Sequence, residues 1–187
     1  MPVDASHRFS NDLRRRAGDH IMQRQLPPPY VLEPVRAALG GSIALDPCTE
    51  PDNPTRAARF YTVDDDGLAQ AGWEPTSFVN PPDGEARGDG GKLAQGAGGG
   101  RGSKVIMLIP AHTDTRIFQS AMQSATSMVL IKGRVKFGVL RENRRQEAAS
   151  HPSALIGWNV DLRECDHLGH RVMLTAHPTD RGSDVAG

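Results

Sequence analysis

Cysteine is almost missing from this chain: Cys48 and Cys165 are the only two in 187 residues. That excludes a disulfide-stapled scaffold and a zinc site built on four cysteines. A charge excess of either sign is missing too. Lysine and arginine number 22, aspartate and glutamate also 22, so the formal net charge is zero. Uniformly basic, histone-like binding of nucleic acid is thereby excluded, whereas a local basic patch on an enzyme is not. Aromatic residues are scarce at 5%. No apolar run approaches the roughly 20 residues of a membrane-spanning helix. The charged opening, MPVDASHRFSNDLRRR, has no apolar segment behind it and does not read as a secretory signal, so the expected location is cytoplasmic.

What the chain has in plenty is glycine (20) and proline (14). Its length favours one domain large enough to bury a core. Residues 1–25, with Arg14-Arg15-Arg16, read as a flexible arm, 26–178 as the folded domain, and 179–187 as a frayed tail. From Gly84 to Ser103 the sequence GEARGDGGKLAQGAGGGRGS lacks the apolar residues of a packed element, and its glycines are costly to order. It is expected to be a disordered loop at 84–103.

Around that loop the pattern is of short apolar runs ending in acid or proline. Pro27-Pro28-Pro29 is expected to stop a helix, and Pro34 to open one that ends at Leu39 before Gly40-Gly41. Strands are expected at Ser42–Asp46, Arg59–Val63, Ser77–Val79, Lys104–Pro110, Met128–Ile131 and Ala154–Trp158. Further strands are expected from Arg134 to Gly138 and, at an edge, from Arg171 to Leu174. A helix capped by Thr113 or Asp114 should run to about Ala125. Strands alternating with helical stretches imply an α/β sandwich with a mostly parallel sheet. Ligands of such sheets bind at the carboxyl ends of strands, where Asp46, the Asp64–Asp66 group and Asn80 fall.

Asn80-Pro81-Pro82 is the sharpest local signal. Two prolines stiffen the backbone and remove two amide donors, leaving the Pro81 carbonyl free to accept. Asn80 adds a side-chain carbonyl beside it. Two acceptors aimed at one point suit an exocyclic amine that must lose a proton as it attacks a methyl sulfonium. Read alone, Asn-Pro-Pro is more often a plain strand-ending turn.

The stretch resembles the amino-methyltransferases of DNA, which carry an Asp/Asn-Pro-Pro-aromatic motif. More closely, the chain is similar to the phage-type DNA N-6-adenine methyltransferase (Dam) family. The likeness follows an ordered series from about residue 30 to 158. It begins with Pro34–Gly40, then Leu45-Asp46-Pro47-Cys48, Ala58–Thr62, Asp65-Asp66-Gly67-Leu68 and Trp73, then Asn80-Pro81-Pro82. After the glycine-rich stretch come Leu108–Ala111, Thr113-Asp114-Thr115 with Phe118, and Gly133–Phe137. The resemblance implies a Rossmann-like fold, S-adenosylmethionine as methyl donor, and a flipped adenine of double-stranded DNA as acceptor. It implies catalytic roles for Asn80, Pro81, Pro82 and Asp83. It implies cofactor contacts from Asp46, Pro47, Asp65, Asp66 and Leu68.

The sequence departs from the family pattern at three points. Asp83 stands where these enzymes carry an aromatic residue, a glycine-rich stretch follows directly, and there is no Phe-x-Gly-x-Gly loop. Two alternatives therefore stay open: a methyltransferase of the same fold acting on a small nitrogenous metabolite, and a catalytically degenerate member that binds DNA or protein. Arg134, Lys136, Arg141, Arg144 and Arg145 form the densest basic stretch, and read either as phosphate contacts or as a solvated connection. Cys165, Asp166, His167 and His170 are an incomplete ligand set, so no metal site is expected. His112, just past a strand end, either faces the site or is a surface histidine.

Overall fold

A computed structural model describes residues 25–65, 67, 74–81, 102–139 and 146–174. The expected arm (apart from Gln25), the glycine-rich stretch up to residue 101 and the tail lie outside these residues. In chain order the strands are β1 (Gln25–Leu26), β2 (Leu45–Asp46), β3 (Arg59–Phe60), β4 (Thr76–Val79) and β5 (Lys104–Pro110), then β6 (Ser127–Ile131), β7 (Lys136–Val139), β8 (Gln146–Ala148), β9 (Ser153–Trp158) and β10 (Gly169–Met173). Two α-helices are described, α1 (Pro29–Ala38) and α2 (Arg116–Ser124), with 3-10 turns at Val63–Asp65 and Leu162–Leu168.

Seven strands form the main sheet in the order β10-β6-β9-β5-β4-β2-β3. The β3-β2, β2-β4 and β4-β5 pairs are parallel. The β5-β9, β9-β6 and β6-β10 pairs are antiparallel. The expected mostly parallel sheet is thus half right. The correction arises because β9 enters between β5 and β6 against their shared direction, and β10 joins the edge antiparallel to β6. A second sheet, β1-β7-β8, is antiparallel throughout.

Strand β5 reads Val-Ile-Met-Leu-Ile because both of its faces are covered, as in buried parallel strands. Ile106 and Leu108 join the core beneath α1, with Val31, Leu32, Val35, Phe78 and Leu155. Val105, Met107 and Ile109 join the opposite core, with Phe118 and Ala121 of α2, Ile156 and Trp158. The Trp158 indole donates to Ser124 Oγ at 3.1 Å, locking α2 onto β9.

Helix α1 starts five residues earlier than expected, at Pro29, and holds Pro34 in its interior. A proline is tolerated at the first helical position because its missing amide would have no partner there. The amides of Val31 and Leu32 turn back onto the Pro28 carbonyl at 2.9 and 3.1 Å. An interior proline costs about 3 kcal/mol or more. Burying Val31, Leu32, Val35 and Leu39, each worth about 1.5–3 kcal/mol, outweighs it. Gly40 and Gly41, with φ of 95° and 102°, end the helix. The cap of α2 is Thr115, whose side chain accepts from the Phe118 amide, rather than Thr113 or Asp114. The expected strand at 42–46 shrinks to its last two residues and the one at 59–63 to its first two, and β8 occupies part of the expected 141–150 connection. The edge strand expected near Arg171 is present as β10.

Candidate active site at the carboxyl edge of the sheet

β2 pairs with β3 on one side and with β4 on the other, and the chain crosses from β3 to β4 between them. This reversal of strand order is the topological switch at which open α/β sheets leave a crevice beyond the strand ends. Asp46-Pro47-Cys48 leave β2 on one side of it, and Asn80-Pro81 leave β4 on the other. Leu45 pairs with Ser77, so Asn80 projects two positions beyond Asp46 along the strand direction. Asn80 is half-buried and Pro81 buried. Pro82 and Asp83 lie outside the described residues, as do Asp66, Leu68 and Trp73.

Asp46 is 1% exposed. Its Oδ1 accepts the Cys48 amide at 3.0 Å and its Oδ2 accepts the Thr55 hydroxyl at 2.7 Å. Burial pushes the carboxyl up to about 6, against the lowering effect of the bonds from Thr55, Cys48 and Thr49. Both oxygens thus serve the loop of residues 47–58, whose shape they fix. Asn53, in a left-handed conformation with φ of 46°, closes the far side of that loop. Its side chain donates to the Ala57 carbonyl and accepts the Ala57 amide, both at 3.0 Å. Arg36 of α1 donates to the Thr55 carbonyl at 2.8 Å, tying the loop to the helix. At the other end, the Thr49 amide donates to the Tyr61 carbonyl at 2.9 Å.

The acidic segment after β3 packs on the same shelf. Asp65 Oδ2 accepts the amide and the hydroxyl of Thr62, both at 2.8 Å, and these bonds hold its carboxyl below the ordinary value, the amide first. Asp64 and Asp65 are exposed. Gly67 is buried, and a Cβ there would run into the Pro47 carbonyl and the Tyr61 Cβ. Only glycine lets the acidic turn close on the Pro47 backbone.

β5 and β6 end at the same edge as β4. Beyond β6, Arg134 is exposed and donates to the Ser150 carbonyl at 2.9 Å. Lys136 is exposed, and its backbone amide donates to the Tyr30 hydroxyl at 3.1 Å. Arg141, Arg144 and Arg145 lie outside the described residues. Cys165 is a fully buried core residue whose thiol burial pushes up to about 12.

The chain matches the family described as DNA N-6-adenine-methyltransferase (Dam) over residues 25–168. It belongs to that family. Comparison with curated proteins gives no match. The Dam match runs from β1 to the 3-10 turn before β10, and so spans Asp46, the acidic turn with Asp65, and Asn80, together with Arg134 and Lys136.

Sequence reasoning missed Thr55, Asn53, Tyr30 and His151. A signal for the first two was present. Small polar residues seven and nine positions after a buried strand-end acid, with Pro54 between them, are what a loop folding back onto that acid requires. Nothing in the sequence couples Tyr30 to Lys136.

Proposed function

We propose that this chain is a Rossmann-like methyltransferase that moves a methyl group from S-adenosylmethionine to the N6 amine of adenine in DNA. The observation that carries the reading is the position of Asn80-Pro81 at the switch-point crevice, across from the Asp46-anchored loop. The family assignment supports adenine as the acceptor.

The residues at the crevice suit the donor chemically. Exposed carboxylates at Asp64 and Asp65 can accept from hydroxyl or ammonium groups, and the Pro47-Cys48 backbone forms a rigid wall beside them. Asp66 and Leu68, outside the described residues, are proposed as further cofactor contacts. Asp46 acts from behind the wall by holding the loop. S-adenosylmethionine supplies an electrophilic methyl on a sulfonium. Asn80 Oδ1 and the Pro81 carbonyl would accept hydrogen bonds from the two N–H groups of the incoming amine and direct its lone pair at the methyl carbon; as the N–C bond forms the C–S bond breaks, S-adenosylhomocysteine leaves, and the amine's surplus proton passes to water. Pro82 stiffens their backbone. An adenine flipped from the duplex presents that amine without the rest of the stack. No covalent enzyme intermediate is needed, and alignment supplies most of the acceleration. Arg134 and Lys136, with Arg141, Arg144 and Arg145, hold DNA phosphates beside the crevice.

The test is transfer of labelled methyl groups to mixed-sequence duplex DNA. Asn80→Ala should lower kcat about a hundredfold or more, since losing one preorganised acceptor costs about 2.7–4 kcal/mol, while calorimetry shows cofactor binding retained. Full activity of Asn80→Ala would overturn the assignment. A second reading is favoured by Asp83 in place of an aromatic residue: a small amine as substrate, paired with that carboxylate.

A further inference from the structure

His112 follows the end of β5, and His151 stands two residues before β9. The last rung between these strands, the Ala111 amide donating to the Pro152 carbonyl at 2.8 Å, brings the two rings together. They meet edge to face with centroids 4.4 Å apart and planes at 79°. The backbone beneath them is held fast. The His112 carbonyl accepts the Thr115 amide at 3.1 Å and the Thr115 hydroxyl at 2.8 Å, and Thr115 caps α2.

Neither ring belongs to either core cluster. His112 is half-buried and His151 exposed. Among the described residues neither imidazole has a polar partner, although every neutral imidazole carries one N–H donor. A histidine kept for packing would be buried and satisfied; these two are rigidly paired at the surface with their donors unspent.

The pair sits between two features already placed. On one side is the crevice. Val79 pairs with Met107, so Asn80 is level with Leu108 and His112 lies four residues farther along the strand direction. That offset is roughly 13 Å if extended, the rise of about four nucleotides along one DNA strand. On the other side is Arg134, bonded to the carbonyl of Ser150, the neighbour of His151. A chain of zero net charge has to grip a polyanion through such local donor rows.

We propose that His112 and His151 clamp the DNA backbone beside the methyl-transfer crevice, their N–H groups donating to phosphate oxygens near the target nucleotide while the adjoining Arg134 supplies charge. The proposal rests on the DNA reading above. Contacts of this kind fix register and orientation without reading sequence.

The experiment compares the unaltered 187-residue chain with two double variants on a fluorescein-labelled mixed-sequence duplex, in the presence of S-adenosylhomocysteine. His112→Phe with His151→Phe keeps the ring contact and removes both donors. His112→Gln with His151→Gln keeps donors and removes the rings. By anisotropy the Phe pair should bind DNA about tenfold or more weakly, as expected for lost bonds to a charged acceptor. The Gln pair should stay within about threefold of wild type, a difference too small to be a lost charged bond. In both, KM for DNA should carry the change while kcat at saturating DNA and calorimetric affinity for the cofactor hold. Equal losses in the two variants, no loss in the Phe pair, or a parallel loss of cofactor affinity would overturn the clamp. A wild-type protein that neither binds nor methylates DNA would instead sink the DNA reading, and the clamp with it.

Discussion

The Thr55 hydroxyl donates to Asp46 Oδ2 at 2.7 Å inside a site closed to water. Eight loop residues lie between the partners, and this bond, with the Cys48 amide on the other carboxyl oxygen and Arg36 on the Thr55 carbonyl, holds the wall of the crevice in place. Thr55→Val keeps the shape and removes the donor, leaving a buried carboxyl oxygen short of a partner. Such a loss costs about 1–3 kcal/mol. Urea denaturation should register it, and Thr55→Ser should restore most of it.

The same carboxyl makes stability depend on pH. Its pKa rises from 3.8 to about 6 on folding, so between about pH 4 and pH 6 the native state holds more protons than the unfolded chain. Stability from this group is therefore full below about pH 4, falls as pH rises through that window, and is lost above about 6. The shift of about two units corresponds to at most about 3 kcal/mol. Subtracting the stability curve of Asp46→Asn from that of wild type, measured from pH 4 to 7, should give this falling slope. A flat difference would refute it.

Gly67→Ala places a methyl against the Pro47 carbonyl and the Tyr61 Cβ. Backbone cannot yield as the tip of a long side chain can, so the acidic turn must lift off the Pro47 shelf. The expected result is cofactor affinity reduced about tenfold or more with a smaller change in melting temperature, as for a misplaced binding group. Calorimetry and a thermal melt, run side by side, check this.

Asp83→Tyr separates the two substrate readings. An aromatic face at this position stacks on a flipped base, a contact worth about 1–3 kcal/mol. With DNA as substrate the variant should keep or raise methyl transfer. With a small amine held by the carboxylate it should lose activity, because the substrate's partner is gone.

Residue order alone marks the strand ends at Asp46 and Asn80 and the family to which the chain belongs. Asn80-Pro81, Asp46-Pro47 and the β5 run are legible because proline, a strand-end acid and continuous apolar residues act over a few positions. The tertiary structure alone decided the rest. Local preference put the helix start at Pro34, but burial against the sheet extends α1 back to Pro29. The parallel half of the sheet could be read from alternating elements. The antiparallel half could not, since a run such as Ala154–Trp158 looks the same whichever way it enters. Asp46 read as a ligand because it ends a strand. Folding turns it inward, since Thr55 and the Cys48 amide reach its oxygens first. The meeting of His112 with His151, and of Tyr30 with Lys136, arises from β-ladder register and helix docking. Those contacts join residues far apart in the chain, and no local pattern of residues records such a distance.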